Sequence, residues 1–265
     1  MKKVFKALTI AGSDSGGGAG IQADLKTFQE LGVFGMSALT AVTAQNTLGV
    51  QGVYPLSVEA VNQQIDSVAT DLKPNAVKTG MLFSSEIIRA VSEKIAMHQL
   101  ENIVVDPVMI AKGGAPLLQQ EAVSALRTHL LPLATVVTPN IPEAEVIADM
   151  KIHNLADRET AARKIFALGV KNVVIKGGHG EEEQAVDLLY DGSDFSFFKS
   201  KRFETRHTHG TGCTFAAAIT AELAARKEIK EAVRTAKAFI EAAIQYELGI
   251  GQGHGPTNHW AYRQK

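Results

Sequence analysis

What most restricts the fold of this chain is a regular alternation of short β-branched runs with stretches of helical period. Ala7–Ala11, Gly35–Thr43, Val50–Tyr54, Ala76–Thr79, Ile103–Val105, Thr135–Thr138 and Asn172–Lys176 read as strands. Val58–Thr70, Ser85–His98, Gln120–Leu131, Glu143–Asp149 and Arg158–Leu168 read as helices. Near the N-terminus Ile21, Leu25, Phe28 and Leu31 share one helical face, and Gly32 supplies the stop. Such alternation joins parallel strands through crossover helices, so it predicts a central, mostly parallel sheet covered on both faces. After Gly180 the pattern changes: Ala185–Tyr190 and Phe195–Phe198 flank Asp191-Gly192 and predict a hairpin, which adds antiparallel strands near one edge. Two helices, Cys213–Ala225 and Lys230–Leu248, close the chain. A length of 265 residues suits one large core, and no linker or repeat interrupts it. The expectation is one domain over 1–265.

Several function classes are disfavoured. Twenty-seven Lys and Arg against 28 Asp and Glu leave a formal charge of −1, which gives no electrostatic drive toward nucleic acid or membrane. The densest basic cluster, Lys199-Ser-Lys201-Arg202, reads as a solvated strand end. A single cysteine, Cys213, rules out an internal disulfide framework and fits a reducing compartment. The opening Met-Lys-Lys lacks a signal-peptide core because Lys6 interrupts the apolar stretch. No apolar run reaches the roughly 18 residues a membrane helix needs. A cytoplasmic protein is expected.

In sheets of this kind ligands sit at the carboxyl ends of the strands. Gly12–Gly20, Gln45-Asn46, Lys78-Thr-Gly80, Asp106-Pro107, Pro139-Asn140 and Lys176-Gly-Gly178 all fall there and together make a candidate site. The Gly12–Gly20 loop accommodates neither a dinucleotide fingerprint nor a Walker loop. His207-Thr-His209, His254 and His259 read as structural, since two histidines alone make a poor metal site. The segment His209-Gly-Thr-Gly-Cys-Thr214 stands directly before an apolar helix. Its glycines can turn backbone amides toward one point, and the helix N-terminus adds positive charge suited to a transferring phosphoryl group. A thiol in that first turn is expected to have a lowered pKa.

In its motifs the chain resembles the ribokinase-like kinases of vitamin precursors, and among them the hydroxymethylpyrimidine/phosphomethylpyrimidine kinases. The resemblance rests on Leu8-Thr-Ile-Ala-Gly-Ser-Asp-Ser15, Gly18-Ala-Gly-Ile-Gln-Ala-Asp-Leu-Lys-Thr27, Thr43-Ala-Gln-Asn46, Val77-Lys-Thr-Gly-Met81, Val105-Asp-Pro-Val108, Thr138-Pro-Asn-Ile-Pro-Glu143 and Gly210-Thr-Gly-Cys213. It implies a three-layer αβα fold, usually as a dimer. It implies transfer of the ATP γ-phosphate to 4-amino-5-hydroxymethyl-2-methylpyrimidine, then a second transfer onto that phosphate, in thiamine synthesis. Cys213 then takes the place of a catalytic base, with Gly210, Thr211 and Gly212 as the anion hole.

By the same resemblance, Asn140-x-x-Glu143 organises Mg²⁺, Asp106 is a second acidic group near the metal, and Lys176 neutralises ATP phosphates. Mg²⁺ keeps several waters and takes only one or two carboxylates, which agrees. For the pyrimidine the matching residues are Asp24 and Gln45. A Gln amide presents a donor and an acceptor together, as a ring nitrogen beside an amine requires. Gly12, Met81 and Val108 would supply backbone approach and apolar contact, and Ala111-Lys-Gly-Gly-Ala115 looks like a mobile flap. Pyridoxal kinases of the same family are the rival. Some of them carry a flap cysteine and lack a glutamine in the Thr-Ala-Gln-Asn segment, whereas here the flap has no cysteine and Gln45 is present.

Overall fold

The computed structural model describes residues 4–109, 120–178 and 184–264. Nine strands make one sheet: β1 Lys6–Asp14, β2 Phe34–Asn46, β3 Gly49–Pro55, β4 Ala76–Thr79, β5 Ile103–Val105, β6 Val136–Val137, β7 Val173–Ile175, β8 Gln184–Tyr190 and β9 Phe195–Lys201. Their order across the sheet is β3-β2-β1-β4-β5-β6-β7-β8-β9. The six strands from β2 to β7 pair in parallel, as expected. Antiparallel strands occur at both edges, not one: β3 folds back on β2, and β8 and β9 extend the other side. The β2–β3 hairpin escaped the sequence because its turn, Thr47-Leu48, carries neither glycine nor proline.

Strand side chains alternate between two cores, which is why near-continuous apolar runs serve here. Leu8, Ile10, Val77, Ile103, Val105, Val137, Val173 and Ile175 face one layer. That layer is built from α2 Val58–Asp71, α3 Ser85–Met97, α4 Gln120–Ala125, α5 Ile141–Ala148 and α6 Leu155–Phe166. Ala7, Ala76, Val104, Val136 and Val174 face the other, built from α1 Gly20–Glu30, α7 Thr211–Ala224 and α8 Ile229–Gln245. The strand and helix residues of this second layer are mostly small, with Ala216, Ala217, Ala218, Ala221 and Ala224 on α7, so that helix lies close across β1, β4 and β5. The expected helix Gln120–Leu131 is less regular than its period suggests. After α4 it widens into a π-helical turn, Leu126–Leu130, then tightens into a 3-10 turn, Leu131–Leu133, where Pro132 cannot donate.

Ser57, Ser84, Asn140 and Asn154 cap α2, α3, α5 and α6 with their side chains. The helices α1 and α7 begin at Ala19 and Gly210 and have no side-chain cap. Their first-turn amides are left for other partners.

Candidate active site

A cavity of about 670 Å³ opens at the carboxyl ends of the strands, between the N-termini of α1 and α7. Every residue singled out above for substrate, nucleotide or metal lines it except Asp24. The flap segment Ala111–Ala115 lies outside the described residues.

Gly12, Gln45, Met81 and Val108 gather at one end. Gly12 has a steric reason to be glycine, because a Cβ there would stand 2.5 Å from Met81 Cε. Gln45 is strand rather than loop, since β2 runs three residues past Thr43. Its backbone is tied to Ser15 by two hydrogen bonds of 2.8 Å, and its amide group stands beside Thr43 Oγ1 and His209 Nε2, each at 3.2 Å.

Asp24 departs from the expectation. It is fully buried beneath the cavity floor, where it accepts from Thr9 Oγ1 at 2.6 Å and from Lys78 Nζ at 2.9 Å. A charged side chain on a buried helix face needs a partner, and Lys78 supplies it. Burial opposes the Lys78 charge, but Asp24, Cys213 and Asp106 together outweigh it and hold the ammonium above the usual lysine range. Asp24 therefore does not line the cavity.

At the N-terminus of α7, Gly210 adopts φ +84°, and a Cβ there would stand 1.7 Å from Gly18 O. Only glycine lets the Gly210 turn approach the Gly16–Ala19 loop. Gly210, Thr211, Gly212 and Cys213 all line the cavity. The thiol's ionisation departs from expectation. Burial pushes Cys213 up to about 11, against the pull of Lys78 and of the Gly20 amide, which donates to the sulfur. Loss of solvent outweighs both, so in this cavity the resting group is a thiol.

Asp106, Asn140, Glu143 and Lys176 form the third side. Lys176 donates to Asp106 Oδ1 at 3.1 Å, and both side chains are largely buried. Asn140 and Glu143 cap α5 reciprocally: Asn140 Oδ1 accepts from the Glu143 amide at 2.9 Å, and Glu143 Oε2 accepts from the Asn140 amide at 2.8 Å. The N-x-x-E spacing thus has a local structural task beside any metal. Burial raises Glu143 to about 7, with Lys176 opposing and Asp106 adding to the rise. No cluster of three or more His, Cys, Asp or Glu capable of holding a metal occurs among the described residues. Asp106 and Glu143 are the two carboxylates on this side of the cavity.

The structure also brings in residues the sequence reading set aside. His209 Nε2 meets Asp14 Oδ2 at 2.8 Å, and Asp14 accepts the amides of Gly16, Gly18 and Ala19. Although burial opposes its charge, His209 and those amides hold Asp14 below the usual carboxylate range. Asp14 thereby shapes the glycine loop, and His209 lines the cavity beside Gln45. His259 keeps its structural reading: it bonds Thr214 Oγ1 at 3.0 Å, and burial pushes its pKa down to about 4.

At the far end Ala185, Phe203, Ile240 and Ile244 make an apolar wall, with the buried pair Lys237–Asp187 at 2.8 Å. Asp187 also accepts the Gly177 amide at 2.8 Å, and Arg202 donates to Gly178 O at 3.0 Å. Ser200, Lys201 and Arg202 thus border the cavity while remaining the solvent-facing end of β9 that the sequence suggests. Nothing in a single sequence marks them, because α8 and β9 meet here only through the fold.

Comparison with known proteins follows the same lines. The family model described as phosphomethylpyrimidine kinase matches residues 14–258. A hydroxymethylpyrimidine/phosphomethylpyrimidine kinase of Bacillus subtilis is 56% identical over 262 residues, which are 98% of this chain and 97% of that protein. A thiamine biosynthesis bifunctional protein of Geobacter sulfurreducens is 51% identical over 252 residues, which are 95% of this chain and 51% of that longer protein. The pyridoxal kinase of Staphylococcus aureus, solved in complex with AMP-PCP and pyridoxal, superposes with a TM-score of 0.92 at 42% identity, covering 99% of this chain and 96% of that one.

Proposed function

Because this chain belongs to the phosphomethylpyrimidine kinase family, we propose that it phosphorylates 4-amino-5-hydroxymethyl-2-methylpyrimidine with ATP, and then the resulting monophosphate, in thiamine synthesis. The observation that carries this reading is the joining, in one cavity, of a Gln45 end suited to a flat polar heterocycle and an uncapped helix N-terminus suited to a phosphoryl group. The ring would lie against Gly12, Met81 and Val108 with its polar edge toward Gln45. The nucleotide would occupy the other end, its phosphates near Lys176 and Asn140 and its base on the apolar wall of Ile240 and Ile244.

In the first transfer the hydroxymethyl oxygen attacks the γ-phosphorus. With Cys213 as the thiolate, the minor form of a thiol whose pKa is about 11, the alcohol's proton passes to the sulfur, the new O–P bond forms, and the bond to the ADP oxygen breaks. Charge on the transferring group's oxygens meets the first-turn amides of α7. In the second transfer the nucleophile is already an anion and needs no base. Mg²⁺ would be held by Asp106 and Glu143, where it would neutralise phosphate charge; a pair of carboxylates fits an ion that retains most of its waters.

A second reading, pyridoxal phosphorylation, is favoured by the likeness to the Staphylococcus aureus pyridoxal kinase. Gln45 favours the pyrimidine, whose amine beside a ring nitrogen suits the amide. We further propose a single-domain cytoplasmic homodimer that takes no nucleic acid or membrane partner. No helix among the described residues is long and apolar enough to cross a membrane. Val50 and Tyr54 on the edge strand β3 are exposed apolar groups that a second copy would cover.

The deciding experiment is a substrate panel of hydroxymethylpyrimidine, its monophosphate, pyridoxal, pyridoxine and ribose, with product masses recorded. The reading predicts mono- and diphosphate from the pyrimidine, and it is lost if only pyridoxal is turned over.

A further inference from the structure

The cavity floor carries a cation that the transfer scheme above leaves unused. Lys78, on β4, is 0% exposed, and among the described residues its ammonium makes one hydrogen bond, to Asp24 Oδ2 at 2.9 Å. An ammonium has three donors, so two remain. Lys78 lines the cavity and Asp24 does not. Asp24 Oδ2 accepts from Thr9 as well as from Lys78, and Asp24 Oδ1 has no partner among the described residues. The pair is therefore oriented, with its positive end toward the cavity and its negative end toward α1. Gly80 keeps the space open, since a Cβ there would stand 2.9 Å from Lys78 Nζ.

The charged groups facing Cys213 are Lys78 from β4, Asp24 from α1, Asp106 after β5 and Lys176 after β7. Lys176 is engaged by Asp106 at 3.1 Å. Lys176 keeps two donors as well, but the transfer scheme gives it to the ATP phosphates; Lys78 is left as the cavity cation with donors to give and no ligand assigned to it, in a medium where a buried charge acts strongly. On the reading of Cys213 as base for the first transfer, we propose that Lys78 is a positioning residue whose ammonium stabilises the Cys213 thiolate, and that Asp24 sets how much of that charge the sulfur feels. Neutralising the two members of the pair then has opposite effects on the thiol, which a merely structural ion pair would not produce.

Cys213 is the chain's only cysteine, so alkylation of the whole protein by iodoacetamide reports this thiol alone. The rate followed against pH gives its pKa without nucleotide or pyrimidine. An opposite charge a few ångströms away moves a pKa by about one to three pH units. Lys78→Met should therefore shift the alkylation profile alkaline by about one unit or more, slowing alkylation about tenfold or more at a fixed pH below the pKa. Asp24→Asn should shift it the other way. Where the single Lys78 variant fails to fold, Asp24→Asn compared with Asp24→Asn/Lys78→Met, which leaves no charge unpaired, reads the same quantity.

The pH profile for the alcohol acceptor should follow the thiol, while that for the monophosphate acceptor should not. Superimposable alkylation profiles in folded Lys78→Met and wild type would overturn the proposal. The same holds if both substitutions move the profile in one direction. Loss of the pyrimidine activity in the substrate panel, with the opposed alkylation shifts intact, would instead remove the substrate reading and leave Lys78 in its role.

Discussion

Replacing Glu143 with glutamine should make the protein more stable and a worse enzyme at once. Burial lifts the Glu143 pKa from an ordinary 4.5 to about 7. The sign follows from proton counting. Below about pH 4.5 the carboxyl is protonated in both the folded and unfolded states, and it contributes no difference. Between about 4.5 and 7 the unfolded state has lost its proton while the folded state keeps it, so stability falls as pH rises. Above about 7 both are ionised, and the cost is constant at about 3 kcal/mol. Glutamine removes that cost. It keeps one oxygen to accept from the Asn140 amide and so preserves the cap on α5. One amide oxygen cannot also accept from the Met109 backbone as the carboxylate does, which returns about 1 kcal/mol. The net gain of about 2 kcal/mol above pH 7 corresponds to roughly 4–8 °C in Tm for a chain of this size. Thermal melts of wild type and Glu143→Gln from pH 4 to 8.5 should therefore converge near pH 4.5 and diverge upward. In the kinase assay the variant should need more Mg²⁺ and recover part of its rate when Mg²⁺ is raised, with the KM for the pyrimidine nearly unchanged. A variant no more stable than wild type at pH 8 would refute the burial argument. An unchanged Mg²⁺ dependence would return Glu143 to capping alone.

Two further substitutions test the chemistry. Gln45→Ala leaves polar groups of the ring unpaired and should lower kcat/KM for the pyrimidine by about 1–3 kcal/mol, roughly 5- to 150-fold, with the KM for ATP little changed; equal damage to both substrates would remove the assignment. Cys213→Ala should slow transfer to the alcohol by about 10²- to 10⁴-fold, the ordinary worth of a general base, while largely sparing transfer to the monophosphate. Rates measured separately from each acceptor decide it, and equal losses would leave Cys213 as a wall of the anion hole.

The parallel sheet was legible because β-branched runs such as Ile103–Val105 are buried on both faces and carry no competing signal. The anion-hole turn was legible because its glycines and its apolar helix adjoin in sequence. What stayed hidden depends on partners far along the chain. Asp24 reads as a ligand contact until Lys78, 54 residues away, takes its charge. His209 reads as a loop residue until Asp14, 195 residues away, turns it into the cavity. The ionisation of Cys213 is hidden for the same reason: the helix N-terminus is visible locally, whereas desolvation comes from the whole surround. The capping box Asn140–Glu143 is the exception. Its spacing is a local signal, and the metal reading obscured it.

The tail crosses the site in a way that bears on when the enzyme can exist. The Gly253 amide donates to Thr47 Oγ1 across 206 residues of sequence, and the His254 amide donates to Thr47 O at 2.8 Å, just beyond Gln45. The His209 amide then donates to Gly255 O at 3.1 Å, and the Thr257 amide donates to His209 O at 3.2 Å, just before the anion-hole turn. One short segment thus ties the heterocycle end to the phosphoryl end. During synthesis these residues leave the ribosome after all the elements they join, so a nascent chain can complete its sheet and still lack a finished site. A fragment stopped before residue 253 would retain every residue assigned here to catalysis, yet its two half-sites would lose these backbone ties and keep only the side-chain links of His209 to Asp14 and Gln45.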